Sequence, residues 1–115
     1  MISSIQIFDN MEFTDSEKYA VVAILMLIME ADTIIHPKEV EFMDEMMNRL
    51  NIRVHDLDHM EMDDLALSKI AILAMSLDKQ QVVKSWFQTM VEVDGNIDPR
   101  ETEVINQIFP PRQIN

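Results

Sequence analysis

Apolar residues recur at helical spacing through most of the chain, and the breaks between these runs carry the residues that start and stop helices. Residues 1–13 are mixed and predict a loose arm or a short helix. Thr14-Asp15-Ser16-Glu17 then reads as a capping box. The Thr14 side chain can accept from the Glu17 amide while the Glu17 carboxylate reaches back to the Thr14 N–H. The helix that starts there runs to about Ala31 and is apolar all round from Tyr19 to Met29. That pattern marks a helix buried on most of its sides, the centre of the core.

Pro37 suits a first helical position, where its missing N–H costs nothing. Phe42, Met43, Met46, Met47 and Leu50 follow at helical spacing, with Glu39, Glu41, Asp44 and Glu45 largely opposite. This predicts an amphipathic helix of about four turns. Asn51 to Met62 is polar and irregular, a connection with room for one short helical turn. Asp63 or Asp64 would cap the next helix, with Leu65, Leu67, Ile70, Ala71, Leu73, Ala74 and Leu77 as its apolar positions. Asp78 would cap another, carrying Val82, Val83, Trp86, Phe87, Met90 and Val91. Asp98 and Pro99 restart the chain as a last helix through Val104, Ile105 and Ile108, which Pro110-Pro111 stops. The prediction is an all-α fold: one compact bundle of about five main helices over residues 14–110, with an arm before it and a tail at 111–115.

The chain also says nearly the same thing twice. Glu30–Phe42 and Glu92–Val104, sixty-two residues apart, are identical at six of thirteen positions without a gap. The identities are Glu30/Glu92, Asp32/Asp94, Ile35/Ile97, Pro37/Pro99, Glu39/Glu101 and Glu41/Glu103, and Lys38/Arg100 and Phe42/Val104 keep their character. Such a repeat predicts two equivalent helix–loop–helix units. Asp98, Pro99 and Glu101 have a structural reading as cap, first turn and capping box. Ile35 and Ile97 are expected to turn inward and pin each loop to the core.

Composition narrows the functional classes. With 115 residues, 48% hydrophobic, the chain is one ordinary domain with enough apolar content for a core. One Gly and four Pro leave little room for the tight turns of a β-sandwich or barrel. The net charge of −12, with 21 acids against nine basic residues, argues against nucleic acid. It favours metal cations or basic protein surfaces as partners, or solubility alone. The absence of Cys excludes disulfides and thiolate sites. No basic n-region and long apolar h-region mark a signal peptide at the N-terminus, and the longest apolar run falls short of the ~18 residues of a membrane span. The expectation is a cytoplasmic protein without membrane insertion.

The repeated loops hold the candidate chemistry. Glu30, Asp32, Glu92 and Asp94 place negative charge at helix C-terminal ends, where the macrodipole disfavours it by roughly 0.3–1 kcal/mol per charge. Lys38 and Arg100 could balance it as salt bridges, and so could a bound divalent cation. Gly95-x-Ile97-x-x-x-Glu101 matches the latter half of an EF-hand loop, with Glu92, Asp94 and Asp98 at its third, fifth and ninth positions. The first position is Met90, and in the other copy it is Ile28, with Thr33 in place of the Gly and His36 in place of Asp98. Neither loop is an EF-hand by that pattern.

The motif A-D-x-x-I-x-P-x-E after a buried helix, repeated within a small acidic helical domain, resembles the TerB-like family. That family includes tellurite-resistance TerB proteins and the N-terminal domain of membrane-anchored DnaJ-like co-chaperones, and its usual form is A-D-G-x-I-x-x-x-E. Ala31-Asp32-Thr33-Ile34-Ile35-His36-Pro37-Lys38-Glu39 keeps the Ala, Asp, Ile and Glu without the Gly. Val93-Asp94-Gly95-Asn96-Ile97-Asp98-Pro99-Arg100-Glu101 keeps all but the Ala. The resemblance implies an all-α fold, scaffold roles in stress response with a protein partner, and an acidic surface that binds a divalent cation, Ca²⁺ or Mg²⁺. Its candidate metal ligands here are Asp94, Asp98 and Glu101 in the second loop and Asp32 and Glu39 in the first.

Other features read more plainly. His55 and His59 would share a helix face suited to Zn²⁺ or Ni²⁺, but their segment is poorly helical and two surface histidines are expected. The eleven Met residues fall largely on apolar stripes and predict core filling, with a pliable partner groove as the alternative. No nucleophile elbow, phosphate-cradling loop, Cys nucleophile or H-E-x-x-H is present, so no catalytic residues and no enzyme are expected.

Overall fold

The Thr14 capping box forms: Glu17 N donates to Thr14 Oγ1 at 3.2 Å and Thr14 N donates to Glu17 Oε1 at 2.8 Å. It opens α1, Asp15–Glu30, in the computed structural model, which describes residues 11–31, 34–53, 65–93, 95 and 97–110. Pro37 starts α2, Pro37–Arg49. That helix ends in a Schellman turn, with Asn51 N donating to Asn48 O and Ile52 N to Met47 O. Asn51 takes the left-handed conformation there (φ 58°), which Asn tolerates better than most residues.

Next comes α3, Leu65–Leu73, a shorter helix than its apolar run predicts. Gln80 closes its end, with Nε2 donating to Leu73 O at 3.2 Å and Met75 O at 2.9 Å. The expected cap at Asp78 is corrected: α4, Leu77–Glu92, starts from Ser76, whose hydroxyl accepts from Lys79 N at 3.3 Å. Asp78 falls inside the first turn, where its charge suits the positive end of the helix. Leu77, expected near the end of the preceding helix, is the first residue of α4 instead. Pro99 starts α5, Pro99–Ile108, and Phe109 leaves the helical conformation ahead of Pro110, which disfavours a helical residue before it. These five helices form an all-α globule, with no strand among the described residues.

Packing follows from the polarity of each helix. Helix α1 touches all four others. Its neighbour α3 explains why it is apolar all round. Val22 and Ala23 are buried in α1, whereas Lys84 and Ser85, sixty-two residues on, are half-buried in α4. Trp86, Phe87, Ile24, Leu25, Ile28 and Met46 are among the largest side chains shut away from water. Phe13 joins this core, its ring 5.5 Å from that of Trp86, so the packed body reaches back into the residues expected to form an arm. Met43, Met46, Met47, Met75 and Met90 are all buried, as core filling requires.

Both α1 and α4 have 16 residues, and each of α1, α2, α4 and α5 begins at a position matched by the sixty-two-residue offset. Their caps match too: Thr14 and Ser76 each accept from the amide three residues on. Glu17 and Lys79 are a matched pair that meet each other, Nζ to Oε1 at 3.0 Å.

That contact has a pH signature. Burial would raise the Glu17 carboxyl, but the bonds from Thr14 N–H and the Lys79 ammonium outweigh it and hold the group below its ordinary value of 4.5. A folded-state pKa below the unfolded one contributes stability that is complete above about pH 4.5 and is lost as pH falls through the folded value. Acid titration of the urea midpoint should therefore show a loss below about pH 4.5 that Glu17→Gln reduces. The Glu17→Gln/Lys79→Met cycle should give a coupling of about 0.5–1 kcal/mol, since the pair is partly solvated. No coupling would remove the pair from the account of stability.

Candidate functional site

The acids around the two interhelical loops have different surroundings within each loop. At the end of α4, Gly95 N donates to Glu92 O at 2.9 Å, and Gly95 has φ +80°. No atom lies within 4 Å of where its Cβ would stand, so the backbone conformation alone calls for glycine. Asp98 caps α5 as expected, Oδ1 accepting from Arg100 N at 2.8 Å. The Arg100 guanidinium folds back on the same carboxylate, Nε to Oδ1 at 3.2 Å and Nη2 to Oδ2 at 2.9 Å. Arg100 thereby holds the Asp98 carboxyl below its ordinary range. Any cation taking Asp98 as a ligand would have to share or displace Arg100.

The Glu at the third position of each following helix is buried. Glu39 is 0% exposed and Glu101 1%, in a chain whose other described acids are at least partly solvated. Glu39 Oε1 accepts from His36 N at 3.1 Å, which closes the start of α2. Glu39 Oε2 is equally buried and has no hydrogen-bond partner.

The expectation for Ile35 and Ile97 is overturned. Both face solvent, at 52% and 60% exposed. Each stands just before its helix cap, where an apolar residue packs across the first turn onto the fourth helical residue rather than into the core. Those fourth residues are Val40, itself exposed, and Thr102. The inward slot of each loop belongs to the Glu.

Asp32, Asp94, His55 and His59 lie outside the described residues. Ile28 and Met90 are fully buried, so neither loop has a first-position ligand of EF-hand type. Among the described residues no three His, Asp or Glu side chains come together as a metal group. Nor is any helix among them long and apolar enough to cross a membrane.

Beside the second loop, α4 and α5 bound a cleft of 370 Å³, with Val91, Ile97, Ile105 and Phe109 as apolar lining and Lys84 and Gln88 at its edge. Lys84 Nζ stands 5.9 Å from the centre of the Phe109 ring. Sequence reasoning missed this cleft because it depended on placing Ile97 inside.

Comparison of the chain with protein-family models, curated proteins and solved structures finds no match.

Proposed function

We propose that this chain is a non-enzymatic TerB-like scaffold domain of the stress-response kind, whose acidic interhelical loops bind a divalent cation, Ca²⁺ or Mg²⁺. The observation that carries the reading is the buried Glu at matched positions of both loops. A glutamate is almost never fully buried unless it is paired. Here both are dry, and the free oxygen of Glu39 is the kind of buried, unsatisfied group that calls for an explanation such as an ion or ordered water. The matched acids at the ends of α1 and α4 ask for positive charge at the same places. The recurrence of helix starts at one offset supports two equivalent units, as in the family that the motifs resemble. Asp94, Asp98 and Glu101 would hold the ion in the second loop and Asp32 and Glu39 in the first, with carboxylate oxygens suited to either cation.

Calorimetric titration with Ca²⁺, Mg²⁺ and Zn²⁺ tests this. The wild type should give binding heat and a higher melting temperature with Ca²⁺ or Mg²⁺, and Asp94→Asn/Glu101→Gln should lose most of both. Absence of heat and of any melting shift would sink the cation reading.

A second reading is a metal-independent interaction module with an acidic face. Glu41, Asp44 and Glu45 project into solvent from α2 and give it that face. A metal-free protein that retains a basic partner in a salt-sensitive way would favour it. Met43, Met46, Met47, Met75 and Met90 lie in the core and take no part in such a face.

A further inference from the structure

Helix α3 packs on α1 and exposes an arc of apolar residues. It carries a single charge, Lys69, and only Ser68 and Ile72 are buried. Leu67 is 53% exposed, Ile70 66% and Leu73 43%, with Ala66 and Ala74 exposed beside them. At the helical period these residues share one arc centred on Ile70. Single exposed leucines are ordinary, but a contiguous apolar helix face marks a contact surface.

We infer that this face docks a second copy of the chain, α3 against α3, antiparallel about a twofold axis at Ile70. Sequence symmetry about that residue makes the face complementary to itself. A twofold axis there sets Leu67 opposite Leu73 of the other copy and Ala66 opposite Ala74, so leucines pack on leucines and small residues let the backbones approach.

Charge opposes self-association of this acidic chain, and it opposes it least at this face. Residues 65–91 contain one acid, Asp78, against three lysines, Lys69, Lys79 and Lys84, in a chain with 21 acids and a net charge of −12. Two copies repel each other over most of their surface and least where these helices meet water. A basic partner would be drawn to the acidic faces instead, and anionic membranes or nucleic acids would be repelled by the whole chain.

Two helices of nine residues bury on the order of 1,000 Å² in total, the size of a reversible contact rather than an obligate one. The dimer is therefore expected to dissociate in the micromolar range. This inference does not depend on cation binding.

Sedimentation velocity of the full chain from about 1 to 500 µM, concentrations that bracket a micromolar equilibrium, should show monomers giving way to dimers. Ile70→Glu should raise the dissociation constant at least about tenfold, as removal of a central contact does, with the melting temperature unchanged. The chain has no cysteine, so Ile70→Cys should cross-link to itself on mild oxidation, while Ile97→Cys in the cleft should not. A wild type that stays monomeric at the highest concentration overturns the proposal. So does a dimer that survives Ile70→Glu, or Ile70→Cys that cross-links no better than Ile97→Cys. A monomer whose melting temperature falls with Ile70→Glu would mean that the chain covers this face itself, and that also overturns it.

Discussion

Trp86→Ala should remove about 3–5 kcal/mol of stability, the usual cost of deleting a buried aromatic. Trp86 is 1% exposed and lies sixty-two residues from Ile24, which is also fully buried. Its ring also holds Phe13, at 5.5 Å between centroids, and with it the entry to α1. Deletion loses the transfer energy of the indole and leaves a void that close-packed helices fill only in part. A domain of this size has about 5–15 kcal/mol in total, so the variant should lose a large fraction of its urea midpoint, followed by far-UV circular dichroism. Leu67→Ala on the exposed face of α3 is the control and should change monomer stability by less than about 0.5 kcal/mol. Equal effects from the two would contradict the core as described.

Glu39→Ala should cost about 1–3 kcal/mol in chelator-treated protein, because it strands a part-buried amide and opens space in the interior. The His36 N–H would lose its acceptor, now Glu39 Oε1 at 3.1 Å. Glu41→Ala, two residues along on the solvent side of the same helix, should stay within about 0.5 kcal/mol. Glu39→Gln separates the structural role from the proposed ionic one. It keeps a carbonyl oxygen for His36 N–H, so without metal it should be milder than Glu39→Ala. If the first loop takes a cation, Glu39→Gln should also weaken the stabilisation that added Ca²⁺ or Mg²⁺ produces. Urea midpoints with and without the ion measure both effects, and a Glu39→Ala as mild as Glu41→Ala would remove the structural claim.

Helix starts were readable where they depend on a few adjacent residues. Thr14 with Glu17, Pro37, and Asp98 with Pro99 act through hydrogen bonds and backbone angles spanning three or four positions, and α1, α2 and α5 begin there. Ser76 and Asp78 show the limit of that reasoning. Both types cap helices well, and the choice between them depended on where α3 ended, which Gln80 helps to set from the next helix. The cleft beside the second loop was hidden for a similar reason, since an isoleucine before a cap carries no local mark of facing inward or outward.

The repeated loops divide along the same line. By itself the sequence determined that two similar acidic turns exist, that each is followed by a proline-started helix, and that the fold is all-α, because caps and hydrophobic periodicity are local. Only the tertiary structure decided that Glu39 and Glu101 enter the interior while Ile35 and Ile97 meet water. It also decided that α3 would lie on α1 with Leu67, Ile70 and Leu73 exposed. Burial depends on which helices stand next to a side chain, and those neighbours come from parts of the chain far away in sequence.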